Sequence, residues 1–178
     1  LKKMTGITKR NILKKTDGIF WEELENCQKE FPNMELEEIY IDNMSQQLVI
    51  NPEQFNNSVL LSTNLFMDII SELASGIVGS IGLIYSANMG DSFAMFEAAH
   101  GSAPSIAGQN KANPTASILA GAWMAEYLGE SDIKNAIFSA TEQVINENKV
   151  TTSDIGGNAG TTQMTDAISV YAKQKLRR

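Results

Sequence analysis

The stretch that decides the fold of this protein is Glu97–Gly108, with the sequence Glu-Ala-Ala-His-Gly-Ser-Ala-Pro-Ser-Ile-Ala-Gly. It follows a short apolar segment, Ala94–Phe96, that is typical of a β-strand. Small residues after a strand let backbone N–H groups approach a phosphate closely, and the only histidine of the chain, His100, lies in this loop. A histidine by itself is more often structural. The Gly-x-Gly-x-x-Gly pattern of Rossmann sites is absent, so the loop indicates phosphate binding of another type.

Three helices are predicted on the C-terminal side of this loop. Asn113 and Pro114 combine an N-cap residue with proline at the first helical position, and Gly129 stands where a C-terminal cap belongs. The predicted helices are Thr115–Leu128, a second that starts at Ser131 or Asp132 and ends near Asn148, and a third at Thr165–Lys175.

A helix is also predicted near the start of the chain. It begins at Thr16-Asp17 and ends before Pro32. Its spacing predicts one apolar face, formed by Ile19, Phe20, Leu24, Cys27 and Phe31.

Strands and helices then alternate along the sequence. Two strands are predicted at Glu38–Asp42 and Val59–Leu61, with a brief helix, Met44–Ile50, between them. From Asn64 to Val78 apolar pairs recur every four residues, which indicates a helix with buried neighbours on more than one side. This alternation indicates an α/β protein, with a Gly/Ser-rich boundary near residues 79–92.

Composition excludes several classes of function. The chain has 178 residues, 43% of them hydrophobic, which is enough to bury a core. Its formal net charge of -7 argues against nucleic acid or a membrane surface as a partner, since both attract basic patches. The single cysteine, Cys27, excludes an internal disulfide and suits a reducing compartment. No stretch approaches the roughly 20 apolar residues that span a bilayer, and the first residues lack the apolar core of a signal peptide, so we expect a cytoplasmic protein.

Two carboxylates on the apolar helix are candidates for a metal site. Asp68 and Glu72 are spaced i and i+4, so they project from one helix face and could share a cation. Mg²⁺ and Mn²⁺ prefer such oxygen ligands. The simpler interpretation is the polar stripe of an amphipathic helix. The apolar surroundings favour a cation, because a carboxylate pair among Leu, Ile and Phe must be compensated.

The segment Asn64–Leu73 resembles the metal-binding helix of the β-decarboxylating dehydrogenases, the isocitrate/isopropylmalate dehydrogenase family, whose usual form is Asn-Leu-x-Gly-Asp-x-x-Ser-Asp. The resemblance implies that Asp68 and Glu72 are metal ligands, although Glu72 replaces an aspartate and Met67 replaces a glycine. Asp42 matches the third carboxylate, which these dimers donate to the neighbouring active site. A homodimer with a shared active site and Mg²⁺ or Mn²⁺ are therefore implied.

The beginning of the chain carries a second part of this resemblance. The segment Ile7–Leu13 is similar to the family's Lys-Ala-Asn segment, and Lys15–Phe20 is close to the isocitrate dehydrogenase form. On this match Lys9 is the catalytic lysine, which accepts the hydroxyl proton of the substrate through a water. Taken alone, a Lys-Arg pair near a terminus would be a solvated charge run.

The Glu97–Gly108 loop and the helix that follows it resemble the family's NAD(P) site. The match implies that His100 lies near the adenine, that Asn113 contacts it, and that six residues line the phosphates and ribose: Gly101, Ser102, Ala103, Pro104, Ser105 and Ile106. NADP-linked relatives have Lys-Tyr after the Ala-Pro, and Tyr and Arg further downstream. This sequence has Ser105-Ile106 there, and Ser153 and Gly157 downstream, so NAD is predicted and NADP is disfavoured.

The resemblance implies an isocitrate/isopropylmalate dehydrogenase-like α/β fold that is partial, corresponding to the C-terminal half of a two-domain subunit. Residues 1–78 would belong to the small dimer-forming domain and residues 79–178 to the large nucleotide-binding domain. The implied activity is oxidative decarboxylation of a small 2-hydroxy acid, most simply isocitrate, with homoisocitrate or 3-isopropylmalate as alternatives. The family's substrate-binding arginines and its proton-donating tyrosine precede Lys9, so we expect this segment alone to be inactive.

A non-catalytic alternative is a regulatory subunit of a hetero-oligomeric isocitrate dehydrogenase, which would bind nucleotide without turnover. We expect helix 64–78 at a subunit interface, with Ile70 and Leu73 as the positions where aspartate would dissociate a dimer.

Overall fold

A computed structural model describes residues 2–177 and confirms the α/β class. The chain forms two compact units that divide between Ile77 and Val78. Within the described residues, no helix is long and apolar enough to cross a membrane. The roles predicted for domains 1–78 and 79–178 remain predictions.

The first unit is built around a three-stranded parallel sheet. Its strands are β1 (Lys3–Thr8), β2 (Glu35–Tyr40) and β3 (Ser58–Ser62), in the order β2-β1-β3. The central strand β1 is almost wholly buried and pairs with both neighbours, so Thr8 lies opposite Tyr40 and Ile7 lies opposite Ser62. Parallel strands need crossover connections, which the helices supply.

Three helices belong to the first unit: α1 (Thr16–Glu30), α2 (Ile41–Ile50) and α3 (Asn64–Val78). A buried apolar cluster joins the sheet to α2 and α3, and it consists of Ile7, Met44, Leu48, Phe55 and Ile70. Gly6 lies where α1 approaches β1 most closely. A Cβ atom there would meet Leu24 at 2.6 Å and Trp21 at 2.9 Å, so the absence of a side chain permits this packing.

The second unit combines an antiparallel hairpin with three helices. The hairpin strands are β4 (Tyr85–Met89) and β5 (Ala94–Ala98), and the helices are α4 (Thr115–Tyr127), α5 (Ser131–Glu147) and α6 (Thr161–Leu176). Trp123 of α4 makes edge contacts with the rings of Tyr85 and Phe96 on the hairpin. The buried core between α5 and α6 contains Ala140, Val144, Met164, Ile168 and Ala172.

Several element boundaries differ from the sequence predictions. Strand β2 ends at Tyr40, so Asp42 lies in the first turn of α2 and not at the end of a strand. Helix α6 starts at Thr161 and not at Thr165. Its start is stabilised by side chains: Gln163 accepts from the Gly160 N–H at 2.8 Å, and Asn110 accepts from the Thr162 N–H at 3.0 Å. The sequence analysis missed strands β1 and β4.

The predicted apolar face of α1 is wrong except at Leu24, which is buried as expected. Ile19, Cys27 and Phe31 are exposed, and the buried residues of the helix are Asp17, Trp21 and Leu24. These three are spaced i, i+4 and i+7, so they form one face of the helix. The sequence pattern failed because an acidic residue occupies the first buried position of that face.

Helix α3 has the predicted bounds, but its faces require a correction. Ile70 is only 1% exposed because it packs in the core of its own unit, and Leu73 is partly buried against that core. Aspartate at Ile70 would therefore unfold the unit, and it does not test a dimer. Leu65 and Ile69, which are 65% and 48% exposed, are apolar positions on α3 that are available to a partner. The interface itself remains a prediction.

The turn after Thr152 predicts a strict requirement for glycine at position 157. A Cβ atom on Gly157 would lie 1.9 Å from the Thr151 carbonyl oxygen, whereas one on Gly121, inside α4, would meet nothing within 4 Å. We expect Gly157→Ala to lower the free energy of unfolding of the complete protein by about 2 kcal/mol or more, since overpacking displaces backbone. The matched control Gly121→Ala should be neutral or stabilising by up to about 1 kcal/mol. Denaturant unfolding measures both, and equal stabilities of the two variants would contradict this description of the turn.

Candidate functional site

In the first unit, two residues of opposite charge lie together at the carboxyl ends of the parallel strands. Lys9 follows β1 directly, and Asp42 lies two residues after the end of β2. The Lys9 ammonium lies 2.7 Å from Asp42 Oδ1 and 5.6 Å from the centroid of the Tyr40 ring. The Lys9 side chain is 24% exposed and that of Asp42 is 68% exposed, so the pair is accessible. The hydrogen bond from Lys9 lowers the pKa of the Asp42 carboxyl below its ordinary value.

A second ion pair holds the strand ends beside this one. Arg10 donates to both carboxylate oxygens of Glu38, at 3.0 Å and 2.7 Å, and the hydroxyl of Thr8 donates to the same residue at 2.6 Å. The Arg10 guanidinium also lies over the ring of Trp21 at 5.0 Å. A bidentate pair of this kind has a fixed geometry, so the backbone on either side of Lys9 is restrained.

The two carboxylates on α3 lie apart from any third ligand within one chain. Asp68 and Glu72 are both exposed, one turn apart on the helix. Among residues 2–177, no group of three or more histidines, cysteines or carboxylates is arranged to hold a metal ion. The predicted set of Asp42, Asp68 and Glu72 is therefore not assembled by a single chain. A site shared between two chains remains a prediction.

Met67 replaces the glycine of the family motif, and its placement shows how the helix accommodates it. Its side chain is partly buried and packs against the apolar core of the first unit. Asp68, the next residue along the helix, is exposed. The larger residue is thus directed into the core, and the Asp68 carboxylate remains accessible.

The second unit contains a cavity of about 660 Å³ beside the loop after β5. Of the predicted nucleotide residues, His100, Gly101, Ser102, Ala103, Ile106 and Asn113 line this cavity, whereas Pro104 and Ser105 do not. The remaining lining comes from the loop itself and from three other places in the sequence: Ser80–Gly82, Ser153–Asp154 and Thr161. Lys111 and His100 are the basic residues of the lining. The cavity wall is otherwise formed largely by small and neutral side chains.

The loop backbone adopts an unusual conformation at Ala103. Its φ angle is +42°, in the left-handed region that residues other than glycine rarely occupy. Such strain persists only where the surrounding structure imposes it, and it is concentrated at binding sites. The loop is thus held in one shape beside the cavity.

Asp154 is a residue of this site that the sequence analysis did not identify. Its Oδ2 atom accepts hydrogen bonds from the Ser80 hydroxyl at 2.5 Å and from the Asn113 amide at 3.0 Å. Asn113 in turn accepts from the Thr115 N–H at 3.0 Å and so caps α4. An acid in a glycine-rich segment between two helices was the available signal, but sequence alone does not show what it faces.

The environment of Asp154 changes its acidity. Partial burial of the carboxylate raises its pKa, but hydrogen bonds from Ser80, Thr152 and Asn113 lower it by more, so the pKa lies below its ordinary value. The carboxylate therefore remains charged at neutral pH and holds three segments of the cavity wall together.

The far end of the loop is attached to α6. The Asn110 carbonyl accepts from the Thr161 N–H at 2.9 Å, and the Thr161 hydroxyl donates to the Ala112 carbonyl at 2.6 Å. Gly160 permits this contact, because a Cβ atom there would lie 2.6 Å from the Asn110 amide nitrogen. The C-terminal segment thus fixes the far end of the cavity loop.

The network predicts a defined pH dependence of stability. The folded-state pKa of Asp154 is lowered, so its stabilising effect is complete above its ordinary pKa of 3.8 and is lost as the pH falls through the lowered folded value. We expect Asp154→Asn in the complete protein to lower the free energy of unfolding by about 1 kcal/mol at pH 7, and the difference from the unaltered protein to shrink below about pH 4. Asp132→Asn, at the exposed start of α5, is the control and should show little change. A difference for Asp154→Asn that is absent at pH 7, or that grows on acidification, would contradict the assignment.

This chain is similar to known proteins in both sequence and structure. The chain is 44% identical to the isocitrate/homoisocitrate dehydrogenase of Thermus thermophilus, over 90% of this chain and 47% of the relative. It is 42% identical to a mitochondrial regulatory subunit of NAD isocitrate dehydrogenase from Dictyostelium discoideum, over 99% of this chain and 50% of that protein. The crystal structure of isocitrate dehydrogenase from Methylococcus capsulatus matches with a TM-score of 0.92 and 44% identity, covering 97% of this chain and 51% of that one.

The chain spans about half the length of the curated relatives that it matches. A family model for isocitrate/isopropylmalate dehydrogenase matches residues 1–168. The resemblance stated from the sequence is confirmed: this chain belongs to the isocitrate/isopropylmalate dehydrogenase family.

Proposed function

We propose that the protein containing this chain oxidises and decarboxylates a 2-hydroxy acid, most simply isocitrate, with NAD as hydride acceptor and Mg²⁺ or Mn²⁺ as metal. The observation that carries the proposal is the accessible pair formed by Lys9 and Asp42 at the edge of the parallel sheet. A base and a metal-binding carboxylate side by side are what deprotonation of a metal-bound hydroxyl requires.

The oxygen ligands of the chain fit a hard divalent cation. Asp68 and Glu72 are exposed one turn apart on α3, and Asp42 contributes a carboxylate with a lowered pKa. A bound Mg²⁺ or Mn²⁺ would polarise the substrate hydroxyl and stabilise negative charge after loss of CO₂. The residues of this chain would hold and orient the substrate beside the Lys9 amine. That amine, once it has left Asp42 and given up its own proton to solvent, can take the hydroxyl proton through a water.

The proposed dimer follows from the separation of these ligands. One chain brings Lys9 and Asp42 together but does not bring Asp68 and Glu72 to Asp42 among residues 2–177. A second copy can supply the missing carboxylates, and the exposed Leu65 and Ile69 beside Asp68 offer an apolar surface for it. In such a homodimer one subunit would supply both Lys9 and Asp42 to the site that contains the partner's Asp68 and Glu72, because Lys9 and Asp42 are paired in one chain.

The cavity of the second unit fits a dinucleotide. Its volume and its lining of glycine, alanine and serine leave room for a ligand whose phosphates approach the backbone. A 2′-phosphate needs cations nearby, yet Ser153 and Ile106 at the wall are neutral. Gly157 cannot gain a basic side chain without displacing the Thr151 backbone. These features favour NAD. Within residues 2–177, Lys111 is the single lysine or arginine of the lining that could favour NADP.

The non-catalytic alternative has support of its own, because one similar relative is a regulatory subunit. A regulatory subunit that does not turn over substrate needs neither a lysine base nor metal-binding carboxylates. Lys9, Asp42, Asp68 and Glu72 are all present here, and the first two are paired. We therefore favour the catalytic role. The substrate alternatives, homoisocitrate and 3-isopropylmalate, differ in a group that the described residues of this chain do not distinguish.

The cofactor proposal predicts a moderate preference for NAD. We expect kcat/KM of the complete protein with isocitrate and Mn²⁺ to be about tenfold higher for NAD than for NADP, which corresponds to about 1.4 kcal/mol. Ser105 does not itself line the cavity, but it lies between Ala103 and Ile106, which do, so the longer acidic side chain of Ser105→Asp should increase this preference further by repelling the 2′-phosphate. Lys111→Ala is the matched variant: it should reduce the residual NADP activity more than the NAD activity. A clear preference for NADP in the unaltered protein would show that cations outside this chain bind the phosphate.

The shared site predicts complementation between two inactive variants. Lys9→Met should lower turnover by about 10²- to 10⁴-fold, to a small residual rate, and Asp68→Asn should abolish both turnover and the Mn²⁺ binding that calorimetry measures. If Lys9 and Asp68 serve one site from different subunits, each hybrid dimer has one intact site, and unfolding and refolding the variants together should restore about a quarter of the activity. Refolding each variant alone is the control. Hybrid dimers without activity would place both residues in the same subunit's site.

A further inference from the structure

Asp17 is a buried acid that the proposed site does not use. The residue is 3% exposed and lies in the first turn of α1, on the face that Trp21 and Leu24 pack against β1. A buried carboxylate is costly unless hydrogen bonds compensate it. An apolar residue would fill the same position on this face, so the acid requires an explanation.

The partner of Asp17 is the backbone of Lys9. The Lys9 N–H donates to Asp17 Oδ2 at 2.6 Å, across eight positions of sequence. The Thr16 hydroxyl contributes a longer bond to Oδ1, at 3.3 Å. The positive end of the α1 dipole also favours an anion in this turn. The carboxylate thus joins the start of α1 to the residue that follows β1.

Both backbone polar groups of Lys9 are fixed by this arrangement. Its carbonyl oxygen accepts from the N–H groups of Ile12 and Leu13, each at 2.8 Å, while its own N–H is held by Asp17. With its backbone fixed, the Lys9 side chain extends from a fixed point, and its amine lies 2.7 Å from Asp42. The point from which the amine reaches Asp42 is therefore set at the backbone, and the acceptor that holds the Lys9 N–H there is Asp17.

We propose that Asp17 is a positioning residue for Lys9: its carboxylate anchors the Lys9 N–H so that the amine is held beside Asp42. This inference rests on the proposed catalytic role of Lys9. It assigns no contact between Asp17 and substrate, metal or cofactor. Loss of the anchor would let the amine move relative to the hydroxyl that it deprotonates, and small displacements of a reacting group are costly to rate.

The test is a double-mutant cycle in the complete protein, with isocitrate, Mn²⁺ and NAD as reactants. We expect Asp17→Ala to lower kcat by about 10- to 100-fold with little change in the KM for NAD. Asp17→Asn retains a neutral acceptor, so its kcat should fall by only about threefold. In the Lys9→Met background, Asp17→Ala should reduce the residual rate no further, because a residue that acts through Lys9 has nothing left to position. Asp132→Asn, the same change in the first turn of α5, should leave kcat unaltered.

Three outcomes would overturn the inference. They are a kcat for Asp17→Ala equal to that of the unaltered protein, a loss that adds fully to that of Lys9→Met, and a loss accompanied by a matching rise in the KM for NAD. If Lys9→Met itself retains full activity, the proposed function fails, and this result is distinguishable from failure of Asp17 alone.

A second measurement covers the case in which Asp17→Ala does not fold. Hydrogen exchange of the amides of residues 9–13 can be followed in Asp17→Asn, the most conservative variant. Faster exchange at Lys9 together with a lower kcat would support the anchor. Unchanged exchange would overturn it.

Discussion

The parallel pairing of β1 with both of its neighbours is the constraint on which the first unit depends. Parallel strands bring their carboxyl ends to one edge of a sheet, where ligands of α/β proteins bind. Because Thr8 lies opposite Tyr40, the residues that follow these strands, Lys9 and Ile41-Asp42, emerge side by side. The ion pair between Lys9 and Asp42 is a consequence of register, and no local preference of either residue would produce it.

Rigid support surrounds this pair. Glu38, on β2, binds both Arg10 and Thr8, and the buried Asp17 binds the Lys9 N–H. Each bond joins a residue next to Lys9, or Lys9 itself, to another element of the unit. The mobile part of the site is then reduced to the side chain of Lys9. A base that must meet a hydroxyl at hydrogen-bond distance benefits from such restraint.

The loop of the second unit consists mainly of small residues, which make few side-chain contacts that could fix its conformation. Long-range hydrogen bonds supply what the loop lacks: Asp154 holds Asn113 and Ser80, and Asn110 is bound to the start of α6. The absence of a side chain at Gly160 permits the close approach of Asn110 to the start of α6. The cavity therefore depends on hydrogen bonds between residues that are 41 to 74 positions apart in sequence.

Some features of this protein were determined by the sequence alone. The periodicity of α3, the proline and cap residues before α4 and the small residues after β5 identified those elements, because each signal is local. The motifs around Lys9, Asp68 and His100 identified the family, because residue types and their spacing can be matched to a family without knowledge of the fold.

Other features were decided only by tertiary structure. The apolar spacing of α1 predicted the wrong face, because the helix is oriented by Gly6 and by the bond of Asp17 to Lys9. Strand β1 escaped detection because a buried central strand lacks the alternation of a half-exposed one. In the sequence, Asp17 and Asp154 could not be distinguished from other acidic residues. Their roles depend on partners at other positions of the chain, and only folding brings those partners within hydrogen-bond distance.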